Sequence, residues 1–473
     1  MSDERHYLEL SEDEGSHKFY EAIVSGKKLT LRYGRIGDSG QKQEKTFPTA
    51  EAARAEAAKK VGEKTRKGYA PAVMGEREKR AVSRRSVASS PSRAKPAPVL
   101  WKFETKQTAF GIFIDDERCW VGNQAGRVFA LGHDGKPRMQ FKLPKGVECL
   151  VGDHDWLYAG CDDGNVYDLT GKVPRLAYSI AEDVDILWLD ICGGVLAVSD
   201  DEGRVSVFDA EEERLWAKKS KGDSGWMVRA TQETVFHGHS GGVTAYGLLD
   251  GKQKWDQKAA DVLFGWQTDA AVYPGCGSGK VLRLAKKDGK VGLTCKTGDS
   301  VLSNAASPDD EYVFAGTSDS TVFCFDRKGE QLWSLGTGCG SALSMQYHLG
   351  KLYLVTTEGT LACLDASEAA IVAAQAGSLP KTKQVQAPKA VAQVDSRRLE
   401  TARDAKGGVE VECVKEGGKL RVRVASKGYK KGWNVQFPRN LRQEGTRYVV
   451  DEVREAAQGG FYRAYGNIRK LSL

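Results

Sequence analysis

Four stretches of this 473-residue chain carry residue types that could do chemistry. The first, LTLRYGRIGDSGQ at 29–41, runs an alternating pattern into Tyr33-Gly34-Arg35, a ring and a guanidinium flanking a glycine. Displayed outward, such a pair suits a sugar–phosphate strand, because rings stack on bases and guanidinium groups grip phosphates. Turned inward, the ring rests on its own sheet, and Gly34 and Gly37 serve a bulge or turn. The second stretch lies near the C-terminus, where Tyr429, Trp433, Phe437, Tyr462 and Tyr465 alternate with Lys430, Lys431, Arg439, Arg442, Arg463 and Arg469. Aromatics among cations are what a nucleic-acid surface uses, but a module this short also needs its rings for a core. The third, GCGSGKV at 275–281, approaches a phosphate loop but has three residues before Gly-Lys instead of four, and valine instead of Ser/Thr follows. The fourth, His237-Gly238-His239, offers two imidazoles with no cysteine or further histidine at ligand spacing. The paired aspartates Asp162-Asp163 and Asp200-Asp201 sit where turns are expected, and turn chemistry explains them. No catalytic set, metal site or cofactor site is expected.

The elements that must hold these residues begin with a repeat. Seven similar stretches place a turn residue at Gly126, Gly164, Gly203, Gly242, Gly279, Ser320 and Gly359, at spacings of 38, 39, 39, 37, 41 and 39. Each reads as a strand, a Gly/Asp turn and a second strand, and a period near 40 predicts one four-stranded propeller blade per repeat. Thirteen residues after three of the turns stand Trp216, Trp255 and Trp333, with Met139 at that place in the first repeat. The last repeat has none, but Trp101 lies 25 residues before Gly126, the interval that the other tryptophans keep to their next turn. The N-terminal strand around Trp101 is therefore expected to complete the last blade and close the ring, leaving no sheet edge.

Charge divides the chain. Residues 59–95 carry net +9 and residues 405–473 net +8, so the remainder is net −10 within an overall +7. Two basic segments around an acidic middle point to a polyanionic partner, or to plain solubility of a lysine-rich linker. Ten scattered cysteines without a C-x-x-C pair suit buried thiols in a reducing compartment. The charged start lacks an export signal's apolar core, so a cytoplasmic location is expected.

The repeats resemble the tryptophan-docking units of pyrroloquinoline-quinone-type propellers more than WD repeats. In the quinoprotein dehydrogenases of that family, the cofactor is held against a disulfide of adjacent cysteines and a calcium site. This chain has no adjacent cysteines, so the resemblance covers the scaffold and not an oxidoreductase site. The N-terminal module resembles the WGR domain of several poly(ADP-ribose) polymerases and of bacterial molybdate-metabolism regulators. Lys18-Phe19-Tyr20-Glu21, Tyr33-Gly34-Arg35-Ile36-Gly37, Gly40-Gln41, Lys64-Thr65 and Gly68-Tyr69 carry that resemblance. It implies Tyr33 as a stacking ring in place of the family's tryptophan, Arg35 as a phosphate contact and Gly34 as a point of close backbone approach.

The sequence thus predicts a mainly β chain. A small α+β WGR-like domain (1–73) leads through a basic linker (74–96) to a seven-bladed β-propeller (97–375). A flexible linker (376–404) then reaches a basic, β-rich C-terminal domain (405–473). The expected role is a non-catalytic adaptor that binds nucleic acid, DNA before RNA and with breaks or ends in view, while the propeller binds a protein. Tyr33, Gly34, Arg35, Lys64, Lys67, Trp433, Lys430, Lys431 and Arg439 are the candidate contacts. A purely protein-binding scaffold is the alternative.

Overall fold

The structure, a computed structural model, describes residues 4–10, 18–35, 40–67, 69–71, 87–153, 156–170, 174–180, 186–211, 213–386, 401–402, 404–438, 441–456 and 459–471. It separates into two compact units, residues 1–85 and 86–473.

In the first unit, β1 (Glu4–Leu10), β2 (Lys18–Ser25), β3 (Lys28–Arg35) and β4 (Gln41–Thr46) form an antiparallel sheet, with the short β5 (Ala70–Pro71) beyond β1. The β2–β3 hairpin turns at Gly26, whose φ of +57 suits a residue without Cβ. Thr49 caps α1 (Ala50–Thr65), its hydroxyl accepting the Ala52 N–H at 3.2 Å. Ala53 and Ala57 lie flush on Ala22, Val24 and Leu29, because small side chains let a helix approach a sheet closely. From β1, Leu8 packs against Tyr20 and Tyr69.

In the second unit the strands from Val99 to Val385 pair into seven successive sheets, six of four strands and a last one of five. Val99–Glu104 joins that last sheet antiparallel to Thr360–Asp365, so the chain's early strand closes the ring. The expected turn residues all have positive φ, including Ser320 at +58. Three tryptophans each dock one sheet onto the next. Trp101, Trp216 and Trp255 donate their indole N–H to the carbonyls of His133 (3.1 Å), Leu248 (2.8 Å) and Lys286 (2.9 Å). Each ring covers a glycine of that turn, Gly135, Gly251 or Gly289, where a Cβ would fall 2.6 to 2.9 Å from the indole.

The segments that flank the repeats are ordered where they meet the propeller. Residues 368–375 form a helix, and Lys383–Val385 adds a parallel strand beside Val99–Glu104. The ordered chain thus continues into the expected tether, because the outer strand of the closing sheet still had a free edge. Residues 387–400 lie outside the description. The end of the basic linker is extended: Ser90 N–H reaches Ser318 O at 3.0 Å, and Ser89 meets Ser341 hydroxyl to hydroxyl at 2.8 Å.

The C-terminal module is a closed barrel of five strands: Val409–Glu416, Lys419–Val424, Asn434–Gln436, Arg447–Glu455 and Phe461–Leu471. In the order of the chain they run 1-2-3-5-4 and return to 1. Only the third and fifth are parallel; the other pairs are antiparallel. Val411, Val422, Val435, Phe437, Tyr448 and Tyr462 fill it.

Candidate nucleic-acid interface

The β2–β3 register sets Tyr20 opposite Tyr33 and Lys18 opposite Arg35. The two tyrosine rings stack at 6.1 Å with an interplanar angle of 21°. The last turn of α1 brings Lys64 over the same group, its Nζ 4.7 Å from the Tyr20 centroid and 5.1 Å from that of Tyr69. A cation on aromatic faces is worth about 0.5–2 kcal/mol, more as water is excluded. Burial pulls the Lys64 pKa below its ordinary value, and the charges of Lys67 and Lys18 pull the same way. Burial, with the Glu63 charge, pushes the Tyr20 phenol up to about 12, so it stays neutral. Among the described residues no carboxylate forms an ion pair with Lys18, Lys64 or Lys67. Four other cations on the sheet are paired: buried Glu21 holds Arg5 and Arg32, and Glu44 holds Lys28 and Lys42 at 2.8 Å each. Lys18, Lys64 and Lys67 thus gather positive charge around the tyrosine corner.

Within that corner the expected roles separate. Tyr33 is half-buried, one face on Tyr20 and its hydroxyl accepting from Gln43 Nε2 at 2.8 Å. It is part of a ladder and not a lone displayed ring. Gly34 has an internal reason that corrects the expected ligand approach: a Cβ there would sit 2.9 Å from the Gly40 Cα and 3.5 Å from the Phe19 ring. Backbone meets backbone, so only glycine fits. Arg35 ends β3, but its side chain lies outside the description, as do Ile36, Gly37 and Gly68. Lys67 is exposed. Lys18, Tyr20 and Tyr69 complete the corner and were not singled out as contacts. Their signal was the strand alternation that places residue 18 on the face of residue 20.

At the C-terminal end most rings are structural, which corrects the alternating pattern's promise. Phe437 and Tyr462 are 1% and 5% exposed. Trp433 is half-buried against Tyr462 at 5.2 Å, and Lys430 covers its other side with Nζ 4.1 Å from the centroid. Lys430 also pairs with Glu455, so both of these candidate contacts have partners within the module. Lys431 is exposed, and Arg439 lies outside the described residues.

The propeller's tempting motifs resolve by register. His239 stands three residues before its turn glycine, where Asn123 and Asp200 stand in other sheets, and all three accept turn N–H groups. His237 is fully buried against the Ser220 hydroxyl at 2.7 Å, and burial pulls its pKa down to about 3. Gly275–Val281 spans the turn between two antiparallel strands. Burial pushes the Cys119 and Cys363 thiols up to about 12, which makes them poor nucleophiles.

Fold and site define a two-part class: a small aromatic and cationic module joined to a tryptophan-docked β-propeller. Residues 4–76 match the WGR domain model, and residues 239–402 match the repeat model described as outer membrane protein assembly factor BamB. The chain thus carries a WGR domain and propeller repeats of the pyrroloquinoline-quinone type. Protein YehF of Escherichia coli (strain K12) is 40% identical to it over 65 residues in the WGR region. That match spans 14% of this chain and 23% of YehF, under a quarter of the relative's length. Among solved structures, the WD40 β-propeller domain of Doa1 superposes with a TM-score of 0.51 at 12% identity. It covers 58% of this chain and 98% of that domain, and shows the propeller fold. No helix among the described residues is long and apolar enough to cross a membrane.

Proposed function

We propose that this chain is a non-catalytic nucleic-acid-binding adaptor. Its WGR domain contacts DNA through the Tyr20–Tyr33–Lys64 corner, with strand breaks or ends as the preferred site, and its propeller binds a protein partner. The observation that carries the reading is the company of Lys64: two tyrosine faces hold it, and Lys18 and Lys67 add charge that no ion pair among the described residues cancels. The half-buried Tyr33 ring beside these cations suits a strand whose bases stack and whose phosphates attract. The propeller's net acidity keeps it off the same polyanion and leaves its rims for protein. Its match to an assembly factor supports a binding role for that half.

Fluorescence anisotropy of nicked, blunt and single-stranded oligonucleotides across a salt series tests the DNA reading. If Lys18, Arg35, Lys64 and Lys67 each meet a phosphate, log affinity falls against log salt with a slope of roughly −3 to −4. A flat series with weak binding at low salt would leave the protein scaffold standing. That second reading draws on Gly34 and Tyr33, both of which have internal packing reasons.

A further inference from the structure

The five-stranded barrel at the C-terminus has the strand order and the parallel third–fifth pair of an OB-type fold, whose second and third strands form the usual ligand face. Here the outward residues of strands two, three and five are Arg421, Arg423, Asn434, Gln436, Phe461 and Arg463. Their neighbours Val422, Val435, Tyr462 and Ala464 fill the core. Three guanidinium groups, two amides and a ring are a nucleic-acid-type set.

That face is not open. It lies on hairpin ends of the second and third propeller sheets. Glu211 pairs with Arg421 and accepts from the Asn434 amide. Gln436 donates to the Tyr178 hydroxyl, and Arg175 donates to the Ala464 carbonyl while holding Asp168 at 2.7 Å. The Arg463 guanidinium lies 4.6 Å from the Trp156 ring centroid, and Tyr465 meets the same ring edge-on at 6.4 Å. A Cβ on Gly194 would fall 2.7 Å from the Phe461 ring. The cavity left between the two bodies is about 20 Å³, room for one water.

We propose that this face of the barrel binds single-stranded nucleic acid and that the propeller holds it shut. The groups opposite it are those a nucleotide would bring. Glu211 offers an anion chelated by a guanidinium and an amide, as a phosphate is. Trp156 offers a flat ring under a guanidinium, as a base does. The contacts are charged and polar, the kind that a ligand of the same chemistry replaces and that permits domain motion. The site is separate from the WGR corner and stands whether or not that corner binds DNA.

The test uses the full chain with Glu211→Ala and Arg175→Ala, singly and together, and a fluorescein-labelled 20-mer oligothymidylate. Both substitutions lie on hairpin ends and add no cation. Hydrogen exchange over 434–436 and 461–465 reports release of the face. If the face is open in about one-tenth of native molecules, release raises affinity about tenfold. Adding Arg421→Glu to the released chain should return affinity to the native level or below. Faster exchange without tighter binding overturns the proposal. So does unchanged exchange in the double variant, because the contacts would then not be the clasp. A gain that survives Arg421→Glu also overturns it, because the strand would then be bound elsewhere.

Discussion

Asp200→Asn should make the propeller more stable at pH 8 and leave it little changed near pH 4. Asp200 is 5% exposed and its Oδ1 accepts the N–H groups of Arg204 at 2.8 Å and Glu202 at 3.1 Å. Burial pushes its carboxyl up from 3.8 to about 7; the Asp201 charge adds to this and the Arg204 N–H opposes it. The folded chain thus binds this proton more tightly than the unfolded chain does. The resulting stability is complete below about pH 4, falls as pH rises, and is gone above about pH 7. At about 1.4 kcal/mol per pH unit, that rise of some three units corresponds to on the order of 4 kcal/mol. Asparagine keeps the acceptor and does not titrate. Asn123 does this work in the first sheet, accepting from Ala125 at 3.1 Å and Arg127 at 3.0 Å. The assay is urea unfolding from pH 4 to 8 followed by tryptophan fluorescence, since nine of the ten tryptophans lie between 101 and 333. The native midpoint should fall relative to the variant's as pH rises. Parallel profiles, or a variant less stable at pH 8, would refute the argument that ionised Asp200 is a strained charge.

Lys64→Met keeps an apolar stem between Tyr20 and Tyr69 but removes the charge. The salt slope of DNA binding should flatten by about 0.9 with little change in the thermal midpoint; an unchanged slope would remove Lys64 from the site. Gly34→Ala forces a Cβ against the Gly40 backbone at 2.9 Å. It should destabilise the WGR domain by roughly 1–3 kcal/mol, read as faster hydrogen exchange across 18–35. Trp101→Ala empties a site that is 4% exposed and breaks the tie to His133 across the ring closure. The propeller should lose about 3–5 kcal/mol in chemical denaturation; a loss near zero would mean that closure rests on the strand pairing alone.

Much of the scaffold was legible because it depends on short-range rules. The period of the turn glycines, the positive φ they supply and the recurring tryptophan all act within one repeat. The ring closure was legible too, since Trp101 keeps the interval of its fellows. The helix cap at Thr49 follows from neighbours a few residues apart. Strand β1 and the added strand Lys383–Val385 were harder to see: a free sheet edge recruits them, and no local pattern announces one.

The candidate site was legible in part. Tyr33 and Lys64 are 31 positions apart in sequence, and only the packing of α1 on β2 brings a lysine over the Tyr20 that Tyr33 stacks upon. Gly34 looked like a ligand residue because a glycine does not reveal what crowds it. The C-terminal rings misled for a similar reason: a strand's alternation shows two faces without naming which is buried. By itself the sequence determined the repeat, the charge division and the identity of the modules, all of which depend on residues near one another along the chain. Only the tertiary structure decided which rings and cations meet solvent and which meet each other, because that depends on what lies across a fold gap that no local pattern encodes.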